Sequence, residues 1–241
     1  MKTIAISDLH GLLPEIVEPA DIMFICGDIS PLHIQFNKPE MWKWLTGEFM
    51  DWIIGLPVEK VYLVAGNHDA FFEGASTSKK VELSFLSSHK LIYLENELVY
   101  YVDNDGITWS IFGTPYCHQY GNWPFMRTDA YMEEKFKEIP DEVNFILTHD
   151  APYGWKNQDV ILERPRWSNE SLEHVGNEPL ANRLKEIQFA WCFHGHIHSS
   201  SHEPEAIEGE NTGFVVNVSY CNESYDGIYE PLYLTDRKSV V

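Results

Sequence analysis

The chain has 241 residues, 44% of them hydrophobic, with 37 acidic against 17 basic side chains and a net charge of -20. That length and apolar content suffice for a sizeable core, while the negative surface disfavours long nucleic acids and anionic membranes as partners. Four cysteines without a CxxC pair suit a reducing compartment, so a cytoplasmic setting is expected.

Met1 leads directly into a strand pattern, so no signal peptide is expected, and no apolar run has the length of a membrane span. Residues 3–7 read as a buried strand that ends at Asp8-Leu9-His10. Residues 22–26 form a second apolar run, ending at Gly27-Asp28. Residues 40–56 carry Trp42, Leu45, Phe49, Trp52 and Ile53 at helical spacing, a stripe that reads as core packing. Residues 61–65 are a third strand, followed by Gly66-Asn67-His68-Asp69. Residues 91–94, 97–102 and 108–112 are short strand-like runs, and Asp103-Asn104-Asp105-Gly106 is a hairpin turn signal. This antiparallel part is expected to build a second sheet packed on the first. Residues 128–137 read as a helix, and the strand over 143–147 ends at Thr148-His149-Asp150. A helix over 178–186 precedes a strand over 189–193 and then Gly195-His196-Ile197-His198, with closing strands over 214–219 and 231–235. The strand–helix alternation implies α/β layering. No linker interrupts it, so residues 1–241 are expected to form a single domain.

Five polar clusters thus sit at or just past the ends of apolar strands, and strand ends collect at one edge of a sheet. Asp8 and His10 are two apart, so at an extended strand end they share a face. His196 and His198 do the same. Asp28 is the candidate bridge, because a carboxylate has two oxygens and an imidazole cannot span two cations. Asn67 offers a neutral oxygen, His149 another imidazole, and His68 projects differently from Asn67, which suits a role other than ligation. Asp69 and Asp150 follow their neighbours directly and read as carboxylates that orient imidazoles. Taken singly, each cluster equally fits a turn residue, a helix cap or a structural histidine. Taken together they fit a two-metal site, and such sites carry out phosphoryl chemistry. His33, His89 and His202 lack strand-end context and read as surface residues; His194 is expected to point away from the metals.

In order, the clusters read D-x-H, G-D, G-N-H-D, H and G-H-x-H, which resembles the calcineurin-like metallophosphoesterase superfamily from Asp8 to His198. The resemblance implies a two-sheet β sandwich flanked by helices in four layers. It implies that Asp8, His10 and His198 hold one divalent ion, that Asn67, His149 and His196 hold the other, and that Asp28 bridges them. It also implies a metal-bound hydroxide as nucleophile and His68 as the acid at the leaving-group oxygen, with Asp69 expected to hold His68. Mixed oxygen and nitrogen donors suit manganese foremost, then iron, zinc, nickel or cobalt, over magnesium or calcium.

The residues after Gly27-Asp28 lack the arginine of the protein-phosphatase pattern, which removes a bidentate phosphate clamp. The segments Leu147-Thr148-His149-Asp150-Ala151-Pro152, His174-Val175-Gly176 and Asn217-Val218-Ser219, with the Gly113-Thr114-Pro115-Tyr116 turn, resemble instead a small metallophosphoesterase-domain branch that includes vertebrate brain proteins. That resemblance implies a phosphodiesterase acting on a small diester of the cyclic-nucleotide class. A phosphomonoesterase or protein phosphatase on the same site, and a non-catalytic metal-binding protein, are the alternatives. Residues 116–127 and 155–174 are candidate substrate walls, with Trp123, Arg127, Arg164 and Arg166 as candidate contacts.

Overall fold

The computed structural model describes residues 1–75, 77–162, 173–206 and 213–235. The first two apolar runs become β1 (Lys2–Ile6) and β2 (Ile22–Cys26). The predicted long helix is a continuous rod in three pieces: α1 (Lys38–Trp44), a π-helical turn over Leu45–Phe49, and α2 (Met50–Gly55). Asn37 starts the rod by accepting a hydrogen bond from the Glu40 N–H, with Pro39 in the first turn. The wider π turn keeps Leu45, Phe49 and Ile53 on one buried line, where a regular α-helix would let residues spaced by four drift around the axis. Trp42 and Trp52 lie at the margin of that line, and the Trp52 indole N–H donates to the Pro14 carbonyl at 2.8 Å.

There follow β3 (Lys60–Val64), α3 (Thr77–Leu86), β4 (Leu91–Tyr93), β5 (Glu97–Val102) and β6 (Thr108–Thr114). Two short strands, β7 (Cys117–His118) and β8 (Met126–Arg127), lead to α4 (Asp129–Phe136) and β9 (Glu142–Thr148). The chain closes with α5 (Glu178–Glu186), β10 (Gln188–His194), β11 (Glu205–Ala206), β12 (Phe214–Asn217) and β13 (Leu232–Thr235). Helix α3 was not expected from the sequence. Leu83 is its one buried side chain, while Val81, Phe85 and Leu86 are exposed, so it lacks a clear apolar stripe.

Two large sheets face each other. One runs β13-β1-β2-β3-β4, the other β11-β12-β10-β9-β6-β5. The hairpin of β5 and β6 joins the second sheet as expected, its Asp103 carboxylate accepting from the Asp105 and Ile107 N–H groups. The strand over 91–94 does not: β4 pairs in parallel with β3 at the edge of the first sheet. The intervening α3 supplies the crossover that a parallel pairing requires.

Period-two alternation divides the core. Ala5, Ile22, Phe24, Cys26 and Val64 face Ile111, Phe145, Leu147, Phe193 and Val216 across the sandwich. Ile4, Ile6, Met23, Ile25 and Leu63 point the other way, into the apolar layer beneath the helical rod. At the centre, the Phe24 ring lies 5.2 Å from Phe145 and 5.4 Å from Phe193. Truncating such a ring to alanine costs about 3–5 kcal/mol.

The sheets are mostly parallel, so the carboxyl ends of β1, β2, β3, β9, β10 and β12 reach one edge of the sandwich. There the sheets are tied together: Ser7 N–H donates to Val218 O at 2.7 Å, and Tyr220 N–H donates back to Ser7 O at 2.8 Å. Ligands of open α/β sheets bind outside this edge. Among the described residues no helix is long and apolar enough to cross a membrane.

Candidate metal centre

Every strand-end cluster delivers its side chains to that edge. The backbone route differs from the expectation of an extended strand end. Asp8, His10, Asp28 and His196 all adopt left-handed φ values, 53°, 44°, 51° and 69°. Such angles are rare and strained for non-glycine residues. They are held by a ladder between loops: Asp8 N–H to Gly27 O, His10 N–H to Asp28 O and Gly11 N–H to Ile29 O, each 2.9–3.0 Å. The sharp turns aim the side chains inward immediately after the strands end.

The donor atoms of Asp8, His10 and His198 lie within 4.8 Å of one another, and so do those of Asp8, Asp28 and His149. Asp28 Oδ2 lies 3.2 Å from His149 Nε2 and 3.9 Å from His10 Nε2, between the two groups. Asn67 Oδ1 is 3.0 Å from His149 Nε2. His196 sends its backbone N–H to the Asp8 carboxylate, and its ring centre sits 5.0 Å from that of His149. All of the predicted ligand residues therefore converge.

The residues fit divalent cations on three grounds. First, two imidazoles are tethered on the outside and turn their Nε2 atoms inward. His149 Nδ1 donates to Cys26 O at 2.8 Å, His198 Nδ1 donates to Asn222 O at 2.8 Å, and both Nε2 atoms face buried carboxylates. This is the second-shell pattern that orients imidazole ligands. Second, His10 Nε2 and His198 Nε2 face each other at 3.3 Å, a contact a shared cation would stabilise. Third, Gly66 and Gly195 leave the space open. A Cβ on Gly66 would stand 2.7 Å from His149 Nε2 and collide with Asp28 Oδ1, and one on Gly195 would collide with Asp8 Oδ2.

Electrostatics follow from burial and pairing. Burial pushes the Asp8 and Asp28 carboxyls up, but the surrounding imidazoles outweigh it and hold both well below the carboxylate range. Burial opposes protonation of His149 and His198, yet Asp28 raises the first to about 10 and Asp8 raises the second to about 9. Burial dominates at His10 and His196, each pushed down to about 4 and so kept neutral for coordination.

His68 stands at the rim, half-buried, with its backbone N–H donating to Asp28 Oδ1 at 2.7 Å. Its partner is not Asp69. The Asp69 carboxylate accepts from Ser30 N–H and Oγ–H at 3.0 and 2.6 Å and from Gly66 N–H at 2.9 Å, so it pins the Asp28 loop to the Gly66 loop. Burial and the nearby Asp28 carboxylate raise it to about 6. Gln35 takes the expected part: its Oε1 lies 2.8 Å from His68 Nδ1, while its Nε2 donates to Leu32 O at 3.0 Å. That second bond sets the amide's orientation, so Oε1 must accept and Nδ1 must carry hydrogen.

Asp150 likewise does not touch His149. It accepts from His118 N–H and Nδ1–H, both at 2.8 Å, and from Asn177 Nδ2 at 3.1 Å, where Asn177 also caps α5. Although burial opposes it, Asp150 holds His118 above the ordinary imidazole range. His194 points away as expected, its Nε2–H donating to Gln158 Oε1 at 2.9 Å. His33 and His89 are exposed. His202 is not a surface residue: it is half-buried, stacked on Tyr229 at 3.9 Å and bonded to His198 O at 3.0 Å.

The substrate candidates divide. Trp123 lies beside His68, ring centres 4.8 Å apart. Arg127 is engaged elsewhere, paired with Glu73 at 3.0 Å and seated over Tyr116 and Tyr131. Trp155 is buried, and Arg164 and Arg166 lie outside the described residues. Ser219, Gln35 and Tyr225 were missed. Ser219 Oγ donates to Asp8 Oδ2 at 2.7 Å, and Tyr225 meets His10 edge to face at 4.7 Å. Gln35 and Tyr225 lie in irregular loops with no periodic signal, and Ser219 only closes a strand. A cleft of about 770 Å³ opens beside His10, between Pro31 and Trp44.

Comparison with known proteins places this geometry in a family. The family model for calcineurin-like phosphoesterases matches residues 1–200. Metallophosphoesterase domain-containing protein 1 of Homo sapiens and of Mus musculus is 24% identical over 249 residues, spanning 97% of this chain and 70% of each relative. UPF0046 protein K07C11.7 of Caenorhabditis elegans is 26% identical, over 92% of this chain and 71% of that protein. A solved structure shares the fold with a TM-score of 0.60 at 15% identity, covering 90% of this chain and 89% of its own. Since the family match encloses every strand-end cluster from Asp8 to His198, the chain belongs to the calcineurin-like phosphoesterases.

Proposed function

We propose that the protein is a metal-dependent phosphodiesterase acting on a small, nucleotide-like diester at a two-metal centre. The observation that carries this reading is the pair of tethered imidazoles, His149 and His198, turned onto the buried carboxylates of Asp28 and Asp8. Asp8, His10 and His198 would hold one cation and Asn67, His149 and His196 the other, with Asp28 shared. Two bound cations would supply the charge that draws a phosphate into an acidic protein and would acidify an attacking water.

The chain's own residues do the rest. Asp69 and Ser219 fix the carboxylate loops through hydrogen bonds that leave the inner oxygens of Asp28 and Asp8 available. His68 holds its Nδ1–H on Gln35, which leaves Nε2 to donate a proton to the departing oxygen. His118, held by Asp150 near His196, adds a fixed polar group on the far side. The diester preference is supported by the missing arginine clamp, since a monoester dianion carries more charge to be neutralised.

The test is to load metal-free protein with manganese and offer bis-p-nitrophenyl phosphate, p-nitrophenyl phosphate and cyclic nucleotides, beside Asp28→Asn. Diester turnover lost in the variant is expected. No turnover with metal bound would overturn the enzyme reading, and turnover of the monoester alone would overturn the diester preference.

A further inference from the structure

Exposed aromatic rings gather at the mouth of the metal centre. Phe36, Trp123 and Tyr225 are 63%, 37% and 40% exposed, an unfavourable placement for large rings with no partner. They are not scattered. Trp123 lies 4.8 Å from the His68 ring at 42°, and Phe36 continues outward, 5.9 Å from Trp123 at 35°. On the other side Tyr225 stands 6.3 Å from His68 and covers His10 at 4.7 Å and His198 at 5.5 Å. Tyr225 is held there by a left-handed backbone, φ 63°, in a turn where Ser224 and Asp226 N–H groups both donate to Asn222 Oδ1. The backbone carbonyl of the same Asn222 anchors His198, so the turn couples ring and ligand.

Three chain segments far apart in sequence thus contribute one ring each around the proton-donating histidine. Phe36 and Trp123 are too close for a third ring to enter between them, so their outer faces are what they offer. Among the described residues no Lys or Arg is seated over these three rings, so what they offer is shape and π-face. Nucleobases stack on such faces without sequence preference.

We infer that Phe36, Trp123 and Tyr225 form a stacking subsite beside His68 that selects phosphodiesters carrying a nucleobase or other planar aromatic group. The inference rests on the phosphodiesterase reading for its substrate, but its binding half can be tested without turnover. In the manganese-loaded protein, thymidine 5'-monophosphate quenches tryptophan fluorescence. Trp123→Phe loses that quench, and ribose 5-phosphate binds roughly tenfold more weakly, the size of one base–aromatic stack. Equal affinity for the two phosphates, or an unchanged quench in Trp123→Phe, overturns the subsite.

Turnover provides the second readout, with thymidine 5'-p-nitrophenyl phosphate and methyl p-nitrophenyl phosphate, which share a leaving group. Wild type favours the thymidine diester roughly tenfold through KM, and Trp123→Ala and Tyr225→Ala each shrink the ratio of thymidine-diester to methyl-diester kcat/KM. Turnover of both diesters without discrimination overturns the subsite and leaves the phosphodiesterase reading standing. A quench specific to Trp123 without any turnover supports the subsite and overturns that reading.

Discussion

Replacing Asp69 separates two ways of using a buried carboxylate. The structure makes it a staple between the Asp28 and Gly66 loops, with no contact to His68. Asp69→Ala strands three close donors: Ser30 N–H, Ser30 Oγ–H and Gly66 N–H. An unsatisfied buried donor costs about 1–3 kcal/mol. The variant should therefore lose at least about 3 kcal/mol, a large part of a total of about 5–15 kcal/mol. Asp69→Asn keeps one oxygen for Ser30 but turns its amide hydrogens toward Gly66 N–H, or the reverse, so about 1–3 kcal/mol goes. Asp69 is raised to about 6 from its usual 3.8, so its protonated form is favoured by folding. That contribution to stability is present below pH 3.8 and is lost as pH rises through about 6. The stability gap between wild type and Asp69→Asn should thus narrow from acid to neutral pH. The assay is urea unfolding of metal-free protein at several pH values, with manganese titrations alongside. A fully stable Asp69→Asn whose only defect is with poor leaving groups would refute the staple and restore Asp69 to His68.

Gln35→Ala should do what Asp69 does not: leave stability and KM nearly intact and cut kcat by about 10- to 100-fold, within the range for general-acid catalysis. The loss should be larger for alkyl than for p-nitrophenyl leaving groups in steady-state assays. Gly66→Ala drives a Cβ into Asp28 and His149, so manganese affinity by calorimetry should collapse, with destabilisation of about 1–3 kcal/mol for overpacking. His149 and His198 sit at about 10 and about 9 in the metal-free protein. Metal must displace their protons, so calorimetry in buffers of different ionisation enthalpy should show proton release at pH 7. By the same shifts, what these two imidazoles contribute to metal-free stability is fully present below about pH 6.5 and is lost as pH rises through about 9–10, a loss that bound manganese should flatten.

Most of the sandwich was legible because its strands alternate inward and outward residues. Phe24 and Ile25 face opposite layers, and that period is visible in a linear string. The strand-end clusters were legible for the same reason: a buried run that stops at Asp, Asn or His announces polar groups at a sheet edge. Elements without a sharp period were not. Helix α3 buries one side chain, and β4 is too short to declare which sheet it joins.

What the sequence alone determined is the donor inventory and its order along the chain: Asp8 and His10, Asp28, Asn67 and His68, His149, His196 and His198. Pairing was left to tertiary structure. Adjacency along the chain suggested that Asp69 serves His68 and Asp150 serves His149, but left-handed turns and loop crossings send neighbours in different directions. Asp69 reaches Ser30, Asp150 reaches His118, and His68 finds Gln35. Hydrogen-bond partners across irregular loops depend on where two chain segments meet in space, and no local pattern encodes that. The rings around His68 have the same origin, since Phe36, Trp123 and Tyr225 become neighbours only once the two sheets close.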